Sequence, residues 1–526
     1  MRNGLKNKRR AIVVHQRLVI PVIVLVAIAA ISIYGWRSLQ SDSFTGANTK
    51  PAYWPTTGWH YSPPEVEGFD SVKLAQGLQA IQQNHVNIHS LTIVRNGEVF
   101  LDAYFYPYDG STYHDMASVT KSITTTLIGI AVDQGKLKLD DPLLSFFPNR
   151  TVANRDALKE SVTVRHLVSM SSGFSCTAIP KEITLEEMQA SPDWVQFALD
   201  RPMAREPGKL FVYESPGMHL LSAILQQATG MTALEFARQN LFGPLGITDV
   251  CWPSDPQGYS RGGGDLCLHP NDAAKLGFLF LYNGQWGNRQ IVSREWVGDA
   301  TTKQIDTGQD YPEDYGYGWW ISPEADEISF FAAEGRGTQR IVVIQSLNMV
   351  LVTTGAGFSL DDVTRHVEAA IVNLDRSLPA NPAGVAQLDV AVKQCKQPPT
   401  AQPIQALPDM AYTISTKTFT FEKNPIQLRS IRLDFNESSE AELHLDLTTE
   451  EEPRVAGVGL DSVYRPSVSG RPSVAHGTWT DEQTFTIDYN EGPGLNQLTF
   501  KMRFYGDRMT FEIVGLGTLE GKLTFP

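Results

Sequence analysis

Cysteine is scarce in this chain: Cys176, Cys251, Cys267 and Cys395 are the only four in 526 residues. They allow at most two disulfides, which would require an oxidising compartment, and the sequence leaves their pairing undetermined; buried free thiols are the plain alternative. The 11 histidines show no H-E-x-x-H or comparable ligand spacing. That absence argues against a catalytic metal, and no cofactor is implied. Positive charge is also short, with 44 Lys and Arg against 58 Asp and Glu and a net charge of −14. No concentrated basic face is available to displace counterions, which argues against nucleic acid as a partner. What the chain does have is 42% hydrophobic and 10% aromatic residues, the make-up of a folded protein. Its length exceeds one ordinary core, so two or three domains are expected beyond any tail.

The amino terminus reads differently from the rest. A basic stretch with Arg2, Lys6, Lys8, Arg9, Arg10 and Arg17 precedes nineteen uncharged residues, Leu18 to Trp36. That length spans a bilayer core, and the preceding positive charge keeps the tail cytoplasmic while the remainder is exported. Residues 1–37 are therefore expected to be a cytoplasmic tail and single-pass transmembrane signal-anchor, with Tyr34 and Trp36 at the membrane interface. Cleavage near Ala27-Ile-Ala29, giving a secreted protein, is the competing reading. Residues 38–66, rich in Ser, Thr, Pro and Gly, read as a tether with aromatic anchoring points at Tyr53, Trp54 and Trp59.

Ser118 is the only serine with a lysine three positions on, Lys121, in the segment His114-Asp-Met-Ala-Ser-Val-Thr-Lys-Ser122. An apolar stripe at Ile123, Leu127, Ile130 and Ala131 predicts a helix that stops at Gly135, with Ser118 in its first turn. Positions i and i+3 share a helix face, so the amine comes within reach of the hydroxyl. The helix dipole at that end favours negative charge on the oxygen. A capping serine followed by a solvated lysine is the bland alternative. Further along, Glu206-Pro-Gly-Lys-Leu-Phe-Val-Tyr-Glu-Ser-Pro-Gly-Met-His219 places Tyr213 and Ser215 in a turn before a second apolar helix.

These segments together resemble the serine β-lactamase and penicillin-binding-protein superfamily, in particular its class C-type branch of esterases and amide hydrolases. The resemblance covers about residues 55 to 375 and rests on the order of several blocks. They are the Asn96-Gly97 hairpin, Ser118 to Lys121, Leu137 to Pro142, Val162 to Gly173, Tyr213 to Ser215, Leu241 to Ile247 and Asn271 to Gly277. It implies that Ser118 attacks a carbonyl while Lys121 and Tyr213 jointly handle the proton. It also aligns Ala333-Glu334-Gly335 with the family's lysine-threonine-glycine triplet, so that the backbone amides of Ser118 and Arg336 form the oxyanion hole. Ala333 and Ser215 replace family residues that bind the carboxylate and side-chain amide of a β-lactam. Weak binding of anionic β-lactams is expected, and Glu334 points to a neutral or cationic substrate unless Arg336 compensates. Substrate-binding positions are thus Ser215, Glu334 and Gly335, and the implied substrate is a small ester, amide or short peptide. The loop glutamate that activates water in class A enzymes has no recognisable counterpart between Ser118 and Tyr213. His114, Asp115, His166, His219 and Asp265 are assigned structural hydrogen bonds. The aromatic block Tyr315 to Trp320 is read as core packing rather than cleft lining.

The expected fold is α+β over residues 67–378, an antiparallel sheet flanked by helices, with strands such as Ser90 to Val94 and Ile341 to Thr353. Residues 379–408, rich in Pro, Ala and Gln, read as a linker. Residues 409–526 show short alternating segments, Thr418 to Phe421, Ile431 to Phe435, Ala441 to Leu447, Gln483 to Asp488 and Leu498 to Phe504, the pattern of an all-β barrel. They resemble the lipocalin-like domain that follows some β-lactamase-related domains. Two other functions fit the same residues less well: a penicillin-binding D-alanyl-D-alanine peptidase or β-lactamase, and a catalytically silent, membrane-anchored binding or regulatory protein.

Overall fold

The computed structural model describes residues 51–524 apart from 179–180, 324–327, 436–438, 470–472 and 492–495. The uncharged run from Leu18 to Trp36 lies outside the described residues; among these, no helix is long and apolar enough to cross a membrane.

An eight-stranded sheet organises the first part of the chain. Its strands are β1 (His60–Tyr61), β2 (Ile88–Arg95), β3 (Glu98–Tyr104), β4 (Asp314–Tyr315), β5 (Trp320–Ile321), β6 (Phe331–Gly335), β7 (Gln339–Ile344) and β8 (Met349–Gly355). Across the sheet they run in the order β1, β3, β2, β8, β7, β6, β5, β4. Every pairing is antiparallel except that of β1 with β3. The hairpin between β2 and β3 turns at Asn96 and Gly97, both with positive φ, 53° and 91°. Such a turn matches the right-handed twist of its strands, and Asn-Gly is the pair that adopts it most easily.

Helices cover both faces, so β2 is buried along its whole length. The alternation along β7 divides the two cores. Ile341 and Val343 face one with α2 (Val119–Asp133), α3 (Ser215–Thr229) and α4 (Pro270–Leu281). Val342 and Ile344 face the other with α1 (Ser71–Gln83), α5 (Asp361–Ala369) and α6 (Pro382–Cys395). Helix α6 lies within the segment read as a linker. Asn381 caps it, accepting from the Gly384 amide at 3.0 Å, and Leu388, Ala391 and Cys395 are buried in the second core. The region from 379 to 408 is therefore in part a packed element of the hydrolase body. Residues 51–66 also hold to that body: Tyr53 Oη donates to the Gly97 carbonyl at 2.8 Å, and Trp59 Nε1 to that of Asn271 at 2.9 Å.

The expected single strand from Ile341 to Thr353 is two strands, β7 and β8, separated where Asn348 takes a left-handed conformation at φ 50°. Beyond residue 417, ten strands from Thr418–Phe421 to Gly517–Thr524 form a closed barrel, the first pairing with the last. Closure leaves no open sheet edge. The barrel is filled by Phe419, Ile431, Leu443, Phe485, Ile487, Met502 and their neighbours. It meets the hydrolase body at Tyr106, whose Oη donates to the Tyr464 carbonyl at 3.2 Å.

Candidate active site

The turn leading into α2 is held before the helix begins. Asp115 accepts the Ala117 amide at 2.7 Å, and Ala117 takes a positive φ of 46°, unusual for a residue with a Cβ. Ser118 then occupies the helix N-cap at φ −73°, but its side chain caps nothing. Its Oγ lies 2.7 Å from Lys121 Nζ, and that amine also reaches the Gly263 carbonyl at 2.6 Å. Lys121 is only 2% exposed, which removes the reading of a solvated lysine. Burial draws its pKa below the ordinary lysine value, against the opposing charges of Glu182 and Asp265.

Tyr213 comes from the turn before α3, a helix that starts at Ser215 with Pro216 in its first turn and ends at Gly230, φ 75°. Lys121 Nζ sits 4.8 Å from the centre of the Tyr213 ring, which brings the tyrosine up to the Ser118–Lys121 pair. Burial first, and then the negative charges of Glu182 and Glu334, push this phenol well above its usual pKa; the bond with Ser118 works the other way. The fold thus brings together a hydroxyl, an amine and a phenol drawn from positions 118, 121 and 213.

Strand β6 closes the opposite side. A Cβ at Gly335 would sit 2.5 Å from the Met116 carbonyl oxygen and 3.0 Å from the Ser118 amide nitrogen, so only glycine lets the strand approach Ser118. Arg336 follows on the exposed turn, where Gln339 Nε2 donates to its carbonyl at 3.0 Å. Glu334 forms an ion pair with Arg340 across β6 and β7; burial and the nearby Glu313 raise its pKa while Arg340 lowers it. Ala333 is fully buried in the core behind the strand.

Two parts of the site were not anticipated from sequence. The first is Glu182, which accepts a hydrogen bond from the Ser215 hydroxyl and exerts its charge on both Lys121 and Tyr213. A glutamate between Ser118 and Tyr213 therefore does stand in the site, but on a turn before a short helix, Ile183–Ala190, with no local motif to mark it. The second is the run Gly262-Gly263-Gly264. A Cβ at Gly262 would fall 2.3 Å from the Met218 carbonyl oxygen, and one at Gly263 3.1 Å from that of Ser215. Three consecutive glycines were the available signal. The Cys251–Cys267 disulfide ties the flanks of this loop together, while Cys176 and Cys395 are free thiols.

The remaining polar residues singled out in the sequence have the following partners. His114 meets His89 at 2.8 Å, and His219 meets Asp255 at 3.0 Å, both pairs buried. The His166 ring accepts the Thr163 amide at 3.1 Å, and Asp265 pairs with Arg261 at 2.7 Å. Burial, reinforced by Asp265, raises the Asp115 carboxyl to about 6. Tyr315, Tyr317 and Trp319 are core residues; Trp320, also buried, stacks on Tyr213 with ring centres 6.1 Å apart. One acidic and histidine group among the described residues has metal-ligand proximity, Asp434, Glu442 and His444 on the barrel. The Arg432 guanidinium stands among them, 3.0 Å from both Asp434 Oδ2 and His444 Nε2.

A serine whose hydroxyl touches a buried amine, backed by a strand that approaches its amide through glycine, is equipped for acyl transfer, and this scaffold with that arrangement is a serine hydrolase. The chain belongs to the Beta-lactamase family, whose profile matches residues 75–373. Among curated relatives, Protein flp of Staphylococcus aureus (strain COL) is 26% identical over 181 residues, covering 32% of this chain and 35% of that protein. A Beta-lactamase of Escherichia coli (strain K12) is 22% identical over 193 residues, 35% of this chain and 48% of that one. The chain thus spans between a third and a half of the length of these relatives. In fold it is similar to a putative 6-aminohexanoate-dimer hydrolase from Bacillus anthracis, with a TM-score of 0.52 at 17% identity over 62% of this chain and 91% of the other. It is also similar to EstCE1, a hydrolase with promiscuous acyltransferase activity, with a TM-score of 0.50 at 17% identity over 58% and 99%.

Proposed function

We infer that this chain hydrolyses a small ester or amide through a covalent acyl-enzyme on Ser118. The observation that carries the reading is the 2.7 Å contact between Ser118 Oγ and the buried Lys121 Nζ. Lys121, with its pKa drawn down by burial, takes the hydroxyl proton as Oγ bonds to the substrate carbonyl carbon. The resulting oxyanion is held by the backbone amides of Ser118 and Arg336, each such donor contributing about 3–4 kcal/mol in other acyl-transfer enzymes. Tyr213, whose phenol is held protonated by burial and two carboxylates, is suited to donate rather than accept. It passes a proton to the leaving group as the carbonyl–heteroatom bond breaks, and regains one from Lys121. Water then enters by the reverse sequence, losing its proton to the same pair and releasing the acid and free Ser118.

Ser215 and Ala333, standing where β-lactam-binding members carry other residues, support an ester or amide over a penicillin. The decisive experiment is labelling by a fluorophosphonate probe, with p-nitrophenyl butanoate turnover and a fluorescent penicillin measured alongside, on the parent and Ser118→Ala. Ester turnover and labelling that vanish together in Ser118→Ala are expected. Stable penicillin labelling without ester turnover indicates a peptidase instead, and no reaction of any kind a silent binding protein.

The same reading places the enzyme outside the cytoplasm, anchored by residues 18–36; the Cys251–Cys267 bond fits an oxidising compartment. Full-length protein that stays with membranes through an alkaline carbonate wash is the expected result, and release into the wash would refute the anchor.

A further inference from the structure

The hydroxyl of Ser215 has one proton, and that proton is committed to Glu182. A serine hydroxyl otherwise offers only lone pairs, and an ionised carboxylate offers nothing else. Ser215, which is buried, and the half-buried Glu182 therefore contribute only acceptors to this corner of the site. Of the other carboxylates near Ser118, Glu334 is paired with Arg340 and Asp265 with Arg261, while Asp115 accepts the Ala117 amide on the turn before the helix. Among the described residues Glu182 forms no ion pair; its hydrogen bond is to Ser215, and its charge acts on Lys121 from a distance, since that amine makes its hydrogen bonds with Ser118 Oγ and the Gly263 carbonyl. Tyr213 and Tyr311, both of which feel the Glu182 charge, pack on the buried Trp320 with ring centres 6.1 and 5.0 Å from it. Aromatic faces attract cations.

We propose that Glu182 and Ser215 form a subsite for a protonated amine on the substrate, making Glu182 the specificity-determining residue of this hydrolase. The proposal rests on the acyl-enzyme reading above and narrows its substrate class to amine-bearing esters and amides. The ammonium supplies the hydrogen-bond donors that this corner lacks, and binding it removes no existing ion pair. An anionic group at the same place would face two acceptors and a repelling charge, so discrimination works in both directions.

The test uses three methyl esters that share a two-methylene spacer, at pH 7: β-alanine methyl ester (cationic), methyl butanoate (neutral) and monomethyl succinate (anionic). Hydrolysis by the full-length protein is followed through acid release. We expect kcat/KM for the cationic ester to exceed that for the neutral one by about tenfold or more, and the anionic ester to be the poorest, from the usual worth of a charge-assisted hydrogen bond. In Glu182→Gln the cationic-to-neutral ratio falls towards one, and in Glu182→Lys the anionic ester overtakes the cationic one. A ratio near one in the parent, or a cationic ester left intact while p-nitrophenyl butanoate is turned over, overturns this proposal and leaves the acyl-enzyme reading in place. A ratio that survives in Glu182→Gln while the acid limb of the pH–rate profile moves also overturns it, since the carboxylate then acts only on Lys121. Loss of p-nitrophenyl butanoate turnover from the parent would overturn both readings.

Discussion

The sheet-centred body and the barrel of this protein treat ionisable groups in opposite ways. Around the sheet, Lys121, Lys159, Glu214, His89, His114 and His219 are buried; in the barrel, Asp461 is the only charged residue buried among the described ones, and it is paired with Arg465 at 2.9 Å. Burying a charge without a partner is costly, so a domain that does so repeatedly must compensate each one. Lys159 and Lys121 show that burial alone does not mark chemistry. Lys159 Nζ donates to the carbonyls of Ala153 at 2.6 Å and Leu199 at 2.9 Å and to nothing reactive. Lys121 shares its protons between a carbonyl and a hydroxyl that can leave its own proton behind. The partner, rather than the depth, separates the lysine proposed as the base from a structural one.

The strongest way to break that distinction is Lys121→Met. It removes the amine, retains most of the volume, and leaves Ser118 without a base, so p-nitrophenyl butanoate turnover should drop by about 10³-fold, within the usual range for general acid–base groups. Ser118 and Gly263 lose one partner each, and the melting temperature should move little by comparison. A variant that keeps more than a tenth of the parent rate would mean that Tyr213 alone can deprotonate the serine.

Why Lys121 could be found from sequence, and Glu182 could not, follows from where each contact is made. The Ser118–Lys121 contact is set by one helical turn and needs only backbone geometry. Tyr213 enters through the order of blocks along the chain. Glu182 reaches Ser215 only after α3 and the loop carrying 182 have docked, and nothing adjacent in sequence records that. Composition misled at residues 379–408 for a related reason. Pro, Ala and Gln suggest a connector, yet Ala and Gln also favour helix, and Pro382 at the first turn after the Asn381 cap starts one. In the barrel the five strands read from sequence carry clear alternation. Strands such as Ser473–Asp481 and Gly517–Thr524 contain interior glycines and exposed polar residues, so their pattern is weak until both neighbours are paired.

Phe485→Ala sharpens the comparison from the barrel side. Phe485 is fully buried against Phe435 and Trp479, with ring centres 5.1 and 5.2 Å away, and its truncation should cost about 3–5 kcal/mol of barrel stability. Because the barrel supplies none of the groups around Ser118, kcat/KM measured below the unfolding transition should stay within about twofold, as expected for a substitution distant from the reacting groups. A parallel loss of activity at low temperature would show that the barrel's packing reaches the catalytic cleft.

The last comparison concerns Glu214, which lies between Tyr213 and Ser215 in sequence and is buried. Burial raises its carboxyl to about 8, against the opposing hydrogen bonds from Ser172. The ordinary glutamate value is near 4.5. Below that pH both folded and unfolded chains hold the proton, and the contribution of the neutral acid to stability is complete. Between about 4.5 and 8 the unfolded chain releases a proton that the folded chain retains. Stability therefore falls as pH rises through this window, with a slope of at most ~1.4 kcal/mol per pH unit, and the loss levels off above the folded value. Glu214→Gln keeps the shape and an acceptor for Ser172 but has no proton to release. Its melting temperature relative to the parent should rise steadily from pH 5 to pH 8 as the parent weakens. Two curves that stay parallel across that range would mean that Glu214 is ionised in the folded protein, and that its buried charge is compensated from a direction other than Ser172.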